Sequence, residues 1–339
     1  MKRPKILIVG SLVMDLTVST EIFPNSGETV LGINFSTASG GKGANQAVQM
    51  ARLGADVTMV GRVGNDLFGK EMVASLNSAG IDTTHIEVDK DNSSAVGNII
   101  LEVAEGQKTK NRIIVAPGAN MAIKPQDIAF LKDTISKYDM VVLQLEIPME
   151  INEIAARYAF DKGVPVMLNS APSAPLKPEL LSCLTYISPN EHEAADLTGV
   201  TIRKQGKEVN MEDVKASVES LMKKGVKNVI ITLGSSGAVV ANEEEIVIRP
   251  CVDVVEVKDP TAAGDSFIGA FTTALCAGLN HTQALEFANY TATLTVSRMG
   301  AQPSLPTLDE VLALMKRESF TGFDLKLMEA LNNSTEAQK

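Results

Sequence analysis

The sequence predicts an α/β protein: a central, mostly parallel sheet flanked by helices, Rossmann-like in plan, carrying a small β-sheet lid. Three observations predict it. Short apolar runs recur without the alternation of a half-exposed strand, as they do in strands buried on both faces. They are "KILIVG" (5–10), "DVTMVGRVG" (56–64), "MVVLQLE" (140–146), "VPVMLN" (164–169), "LTYISPN" (184–190) and "NVIITLG" (228–234). Helical patterns lie between most of them, and strands alternating with helices build βαβ units. Two regions, about 15–39 and 94–116, alternate with no helical period and read as antiparallel strands set apart from the main sheet.

Each element has its own signal. "MKRPKILIVGSLVMDLTV" begins like a secretion signal, but Gly10, Ser11 and Asp15 break the apolar run and no small-residue cleavage site follows, so it reads as a buried strand. "GANQAVQMARLGA" (43–55) and "DLFGKEMVASLNSAGI" (66–81) are helices stopped at Gly54 and Gly80. Within 94–116, "AEGQ" (104–107) reads as a hairpin turn. A flap of this kind exposes edges and one apolar face, which suits a lid or a dimer contact. "VKASVESLMKKGV" (214–226) ends on lysines and a glycine, as a helix C-terminus should. A strand is expected to end near Val257 and a helix to begin near Gly264. The expected organisation is one domain over 1–320, then a C-terminal helix or tail over 321–339, its last residues "NNSTEAQK" polar and frayed.

Composition narrows the function. The chain has 339 residues, 45% apolar and 21% charged, enough for a large core without staples. Its formal net charge of −10, with four Tyr, ten Phe and no Trp, disfavours a nucleic-acid partner. No stretch approaches the ~18 apolar residues of a membrane span. Cys183, Cys251 and Cys276 match no zinc spacing, and an unpaired set suits a reducing compartment, so a cytoplasmic location is expected. With histidines only at 85, 192 and 281, a His-based metal site or Ser–His triad is disfavoured.

Five stretches carry chemistry. In "DPTAAGDSFIGA" (259–270), Ala262, Ala263 and Gly264 let a ligand approach a helix N-terminus, a ready anion site. Asp265 in the first turn is placed to take a proton from a hydroxyl attacking phosphorus; its ordinary alternative is a helix cap. "SGGKGANQA" (39–47) is a second glycine-rich loop opening a helix, with Gly40, Gly41 and Gly43 permitting close approach and Asn45 suited to sugar hydroxyls. It is neither a P-loop nor a dinucleotide fingerprint, which excludes a Rossmann dehydrogenase. Asp15 and Glu146 follow predicted strands, where open α/β sheets bind ligands; either alone reads equally as a loop charge. In "SPNEHEAADLTG" (188–199), Asn190 and Glu193 suit a hydrated Mg²⁺ on nucleotide phosphates, or a simple helix cap. "ITLGSSGAVV" (231–240) is strand, turn, strand, able to border a nucleotide.

In this order the five pieces resemble the ribokinase or PfkB family of carbohydrate kinases, from about residue 5 to 315. "GGKGANQA" and "DPTAAGDSFIGA" look like its two signatures, and "GETV", "ARLGA", "VGNDLFG", "QLE", "PNEHEA", "ITLGSSG" and "GAQPSLP" agree with its ribokinase branch. The resemblance implies a ribokinase-like α/β fold and an ATP-dependent sugar kinase. It implies Asp265 as general base, with Ala262, Ala263 and Gly264 as anion hole. It implies sugar binding by Asp15, Gly41, Lys42, Asn45 and Glu146. On the nucleotide side it implies Asn190, Glu193, Thr232, Gly234, Ser236 and Gly237, with Asn289 on the adenine-side helix. It also implies Mg²⁺ with ATP, and a potassium site at Asp259, Thr261, Thr295, Arg298, Gly300 and Ser304, several through main-chain carbonyls. The lid would close over the sugar and pair two subunits. The sequence departs from the family at Val13, where many members have a polar Asn, and at Pro260 and Ala262, where "DTTGAGD" is usual. The expected reaction is transfer of the ATP γ-phosphoryl to the primary hydroxyl of a small sugar, D-ribose first. Deoxyribose, a ketohexose or a nucleoside such as pseudouridine are alternatives, and a non-catalytic sugar-binding homologue is a remote one.

Overall fold

The computed structural model describes residues 3–103 and 110–336, with side chains as far as Asn332; the turn expected at 104–107 lies outside the described residues. The strands are, in chain order, β1 Lys5–Val9, β2 Val13–Thr20, β3 Gly32–Gly40, β4 Asp56–Gly64, β5 Asp82–Asp89, β6 Ala95–Glu102, β7 Lys110–Ala116, β8 Met140–Leu143, β9 Val166–Leu168, β10 Tyr186–Ile187, β11 Lys204–Gln205, β12 Glu208–Val209, β13 Asn228–Thr232, β14 Ala238–Ala241 and β15 Ile246–Arg249. Nine of them form one sheet in the order β15-β14-β13-β10-β9-β8-β1-β4-β5. It is parallel from β13 to β5, and β14 and β15 close one edge antiparallel.

β1 shows why the apolar runs lack alternation. Ile6 and Ile8 enter the core on one side, Leu7 and Val9 the core on the other, and all four are fully buried. Each such side chain contributes about 1.5–3 kcal/mol by leaving water. One face is covered by helices Lys42–Arg52, Leu67–Ser78, Ala263–Cys276, His281–Val296 and Leu308–Arg317. Helix Lys326–Glu336 joins that face through Met328 and Leu331, so the frayed end expected from residue 332 is helical to Glu336; residues 337–339 lie outside the described residues. Helices Met149–Asp161 and Met211–Met222 cover the other face. No helix among the described residues is long and apolar enough to cross a membrane.

The lid is a four-stranded sheet, β3-β2-β6-β7. Its root is fixed by Asn120, whose side chain accepts from Leu12 N (3.1 Å) and donates to Leu12 O (2.9 Å). Beyond the root its residues face water, including Leu31, Ile33, Phe35, Ile113 and Ile114.

Three expectations need correcting. The lid strands are not all antiparallel: β2 and β6 pair in parallel from Val13↔Ala95 to Thr20↔Glu102. Between them the chain leaves the lid to build β4 and β5 and returns at the same end, and only a short connection forces antiparallel pairing. No strand ends near Val257: the chain from Pro250 to Pro260 is irregular. The alternating "CVDVVEVK" does not add to the open β15 edge; its main chain is bonded instead to helix His281–Val296, through Asn289 to Pro250 O, Thr293 to Val252 O and Val296 O to Lys258 N, and Val254 and Val257 stay exposed. In 184–190 only Tyr186–Ile187 is strand, followed by a lone bridge from Asn190 to Thr232.

Candidate active site

At the carboxyl ends of the central strands lies a cleft of about 250 Å³. Lys42, Asn190, Glu193, Thr232, Ala262, Ala263, Gly264 and Asp265 all line it, with Asn169, Ser188 and Pro260 among others. Residues from four of the five sequence motifs thus meet at one surface.

Helix Ala263–Cys276 begins there. Its N-cap, Ala262, stands in the left-handed region (φ 59°, ψ 9°) and offers no side-chain cap. Ala263 N donates to Pro260 O (3.2 Å), and the main-chain N–H groups of Gly264 and Asp265 are left for a ligand. A Cβ placed on Gly264 would meet open space. Asp265 is 7% exposed. Its Oδ2 accepts from Asn45 Nδ2 (2.9 Å) and its Oδ1 from Gln46 Nε2 (3.0 Å). Asn45 Oδ1 is buried with no partner among the described residues.

The second glycine-rich loop opens helix Lys42–Arg52 as expected. Gly41 has φ 91°, and a Cβ there would lie 2.7 Å from Val13 N, so the loop can pass the lid root only as glycine. Glu146, three residues beyond β8, accepts from Ser11 Oγ (2.5 Å) and from Lys42 N (3.0 Å). Asp15 does not follow the first strand; it lies within β2, in the lid. Val13 and Met14 stay buried at the lid root, so the chain runs from β1 straight into the lid sheet with Asp15 two residues further on. Side chains are lacking on both sides of it: a Cβ on Gly40 or on Gly97 would sit 2.7 Å from an Asp15 carboxylate oxygen. Burial, with Glu146 and Asp265 nearby, pushes the Asp15 carboxyl up to about 6. Burial pulls the Lys42 ammonium down, but Asp265, Glu146 and Glu193 outweigh it and leave its pKa above the ordinary lysine value.

Asn190 and Glu193 form a capping box on helix Glu191–Thr198. Asn190 N and Nδ2 donate to the two oxygens of Glu193 (2.8 and 2.9 Å), and Glu193 N donates back to Asn190 Oδ1 (2.8 Å). The helix-cap reading of this motif holds, and the same two residues line the cleft. Burial pushes the Glu193 carboxyl up against the pull of Asn190 and Lys42. Gly234, Ser236, Gly237 and Asn289 do not line the cleft. They gather near the end of β15: a Cβ on Gly237 would collide with Arg249 O, and Asn289 Nδ2 donates to Arg249 O (3.3 Å) and Pro250 O (3.0 Å). Ser236 Oγ is buried without a partner among the described residues.

The loops carrying the implied potassium residues do meet. Lys258 N donates to Val296 O (2.8 Å) and Gly300 N to Asp259 Oδ2 (2.8 Å). Four of the side chains are engaged, however. Asp259 Oδ1 accepts from Thr261 N (2.9 Å), Arg298 pairs with Glu310 (2.7 Å), Thr295 Oγ1 donates to Ser266 Oγ (2.6 Å), and Ser304 Oγ donates to Ala301 O (2.7 Å). Main-chain carbonyls and the Thr261 hydroxyl are what these loops have left to offer a cation. No group of three or more acids, histidines or cysteines able to hold a metal ion occurs among the described residues.

Motif reading missed Gln46, Gln144, Asn169 and Ser11. Gln46 and Gln144 lie inside quoted motifs, and Asn169 ends an apolar strand run. A polar residue at such a strand end was the available signal.

Comparison with known proteins agrees with this geometry. A family model for "pfkB family carbohydrate kinase" matches residues 3–308. The ribokinase of Schizosaccharomyces pombe is 41% identical over 315 residues, 90% of this chain and 96% of that protein. The deoxyribokinase of Salmonella typhimurium is 33% identical over 306 residues, 90% and 96% of the two chains. The solved structure of Arabidopsis thaliana ribokinase complexed with ribose and ATP superposes with a TM-score of 0.84 at 33% identity, covering 93% of this chain and 99% of that one. A match along the whole α/β body and lid, with both glycine-rich loops brought to one cleft, leaves a single conclusion: the chain belongs to the pfkB family of carbohydrate kinases.

Proposed function

We propose that this protein transfers the γ-phosphoryl group of Mg·ATP to the primary hydroxyl of D-ribose at O5. The observation that carries the proposal is a buried Asp265 carboxylate at the open N-terminus of helix Ala263–Cys276, sharing its cleft with Lys42. Asp265 takes the hydroxyl proton as the O5–P bond forms, the bond from Pγ to the bridging oxygen breaks, and ADP leaves. The N–H groups at Ala262 and Gly264, with the Lys42 ammonium, stabilise charge on the moving phosphoryl group, and Ala263 lines the hole while its own N–H is held by Pro260 O. Asp15 and Glu146 accept sugar hydroxyls, and the free Asn45 Oδ1 is an acceptor in want of one. Gly41 lets the sugar lie against the main chain.

Asn190, Glu193 and Thr232 face the nucleotide phosphates, and Gly234, Ser236, Gly237 and Asn289 its far end. The absence of a three-acid cluster among the described residues fits a Mg²⁺ that arrives on ATP and keeps its waters, with Asn190 and Glu193 meeting those waters. The Mg²⁺ would supply charge neutralisation on the phosphates. A potassium ion would be held in the loops of Asp259, Thr261, Thr295, Arg298, Gly300 and Ser304 chiefly through main-chain oxygen, since the Asp259, Thr295, Arg298 and Ser304 side chains are already engaged. It would steady the anion-hole loop. Lid closure excludes water. The lid's exposed apolar residues support a homodimer through that sheet, and the reaction suits the cytoplasm.

A second reading has an observation of its own. Val13, 5% exposed at the lid root beside Gly97, has no group to bond a hydroxyl, which favours 2-deoxyribose as acceptor. Coupled ADP release with Mg·ATP over ribose, deoxyribose, fructose, other sugars and pseudouridine, with and without K⁺, tests both. Ribose-dependent turnover raised by K⁺ is expected. Preference for another acceptor would keep the chemistry and move the substrate. Sugar binding without ADP release would overturn the proposal.

A further inference from the structure

We propose that Gln46, held in turn by Gln144, is a positioning residue that fixes the orientation of the Asp265 carboxylate. The inference rests on the reading of Asp265 as the base. Gln46 Nε2 lies 3.0 Å from Asp265 Oδ1 and 3.1 Å from Asn169 Oδ1. Gln46 Oε1 accepts from Gln144 Nε2 at 2.7 Å. A glutamine amide has a donor end and an acceptor end, and an ionised carboxylate can only accept. Gln144 occupies the acceptor end of Gln46 and leaves the donor end for Asp265. Were the Gln46 amide turned over, its oxygen would oppose the carboxylate and its NH₂ the Gln144 NH₂.

Gln144 is itself set in place. It follows β8 directly, and its main-chain oxygen accepts from Asn152 Nδ2 (2.8 Å). Gly10 makes room for it, because a Cβ there would collide with Gln144 Oε1. Gln46, Gln144 and Asn152 are all fully buried. Gln144 Oε1 has no partner among the described residues, so an amide is kept in the core at the expense of an unsatisfied acceptor. Leucine would fill the same space without that penalty. What the amides add is direction. Asn45 holds one carboxylate oxygen and Gln46 the other, and two donors on two oxygens fix the plane of the group. Charged groups act on Asp265 as well: Lys42 and Glu193, which share its cleft, and Asp15, with Glu146 acting in turn on Lys42 and Asp15. None of them sets its plane through a hydrogen bond.

The test is steady-state kinetics across pH, on the full chain, for Gln46→Leu, Gln144→Leu, the double variant and Asp265→Asn, with a melting curve for each. Gln46→Leu should lower kcat about 10- to 100-fold, the worth of one hydrogen bond to a charged group. KM for sugar and ATP should stay within about threefold, since neither is touched. The acid limb of kcat should move to higher pH, because a lost donor no longer favours the ionised base. Gln144→Leu should move the same quantities less, and the double variant should be no worse than Gln46→Leu alone, since Gln144 acts through Gln46. The double variant removes both ends of the buried pair and guards against a Gln46 single variant that fails to fold; in that case its own kcat and acid limb are compared with the unaltered protein. Losses that simply multiply in the double variant would overturn the inference. So would a folded Gln46→Leu, or in its place the double variant, with kcat and acid limb unchanged while Asp265→Asn is inactive. Asp265→Asn with full turnover would instead remove the reading of the base, and this inference with it.

Discussion

Asp265 and Asp15 are near enough to feel each other's charge, yet they stand in opposite conditions. Asp265 belongs to the α/β body and has an amide donor on each oxygen. Asp15 belongs to the lid, lies between two glycines, and takes no hydrogen bond among the described residues. Burial and its acidic neighbours push its carboxyl up to about 6. On the proposed roles the difference separates two tasks. Asp265, acting on the reacting atom, would be wired in before substrate arrives, as electrostatic preorganisation requires. Asp15, gripping substrate, would be left unsatisfied, so that a sugar hydroxyl supplies what the protein withholds.

The largest expected effect tests the wired side. Asp265→Asn should cost about 10²–10⁴ in kcat with little change in sugar KM, read from ADP release. Asp15→Asn should do the reverse, raising sugar KM by about 10- to 100-fold with a smaller loss of kcat. If both variants show the same pattern, the division of tasks is broken. A gentler probe is pH. The raised Asp15 carboxyl is ionised above about 6 and protonated below it, and only the ionised form has both oxygens free to accept. Sugar KM should therefore rise as pH falls through about 6, and this dependence should vanish in Asp15→Asn. Val13→Asn would place an amide beside Asp15, and should shift the ratio of ribose to deoxyribose turnover by several-fold toward ribose. The smallest effect concerns the anion hole. Ala262 holds a left-handed conformation that costs an ordinary L-residue roughly 1–2 kcal/mol. Ala262→Gly relieves that cost but loosens the unfolded chain, so urea unfolding should show a gain of only about 1 kcal/mol or less.

How much of this the sequence discloses follows from the range of the interactions. Both glycine-rich loops, the Asn190–Glu193 cap and the buried strands are local signals, set by residues within a few positions of one another. The partners of Asp265 are not local: Gln46 lies 219 residues away and is brought up by packing of two helices. The parallel pairing of β2 with β6 is likewise invisible to alternation, which records the face of a side chain but not the direction of a neighbour. The stretch 250–257 misleads in the opposite sense. Its pattern is that of a strand, but its main chain is taken up by helix His281–Val296, a partner remote in sequence that alternation does not record.

The site is also ordered in time. β1, the lid and the Lys42–Arg52 helix leave the ribosome early, and the strands on the nucleotide side follow. The helix bearing Asp265 emerges only after residue 262, and docks on the first helix through Ser266 and Gln49 (3.0 Å). On the proposed roles, the residues of the sugar loop and the phosphate cap are synthesised well before those of the base and the anion hole. A growing chain that has not reached residue 265 of 339 would have no means of spending ATP.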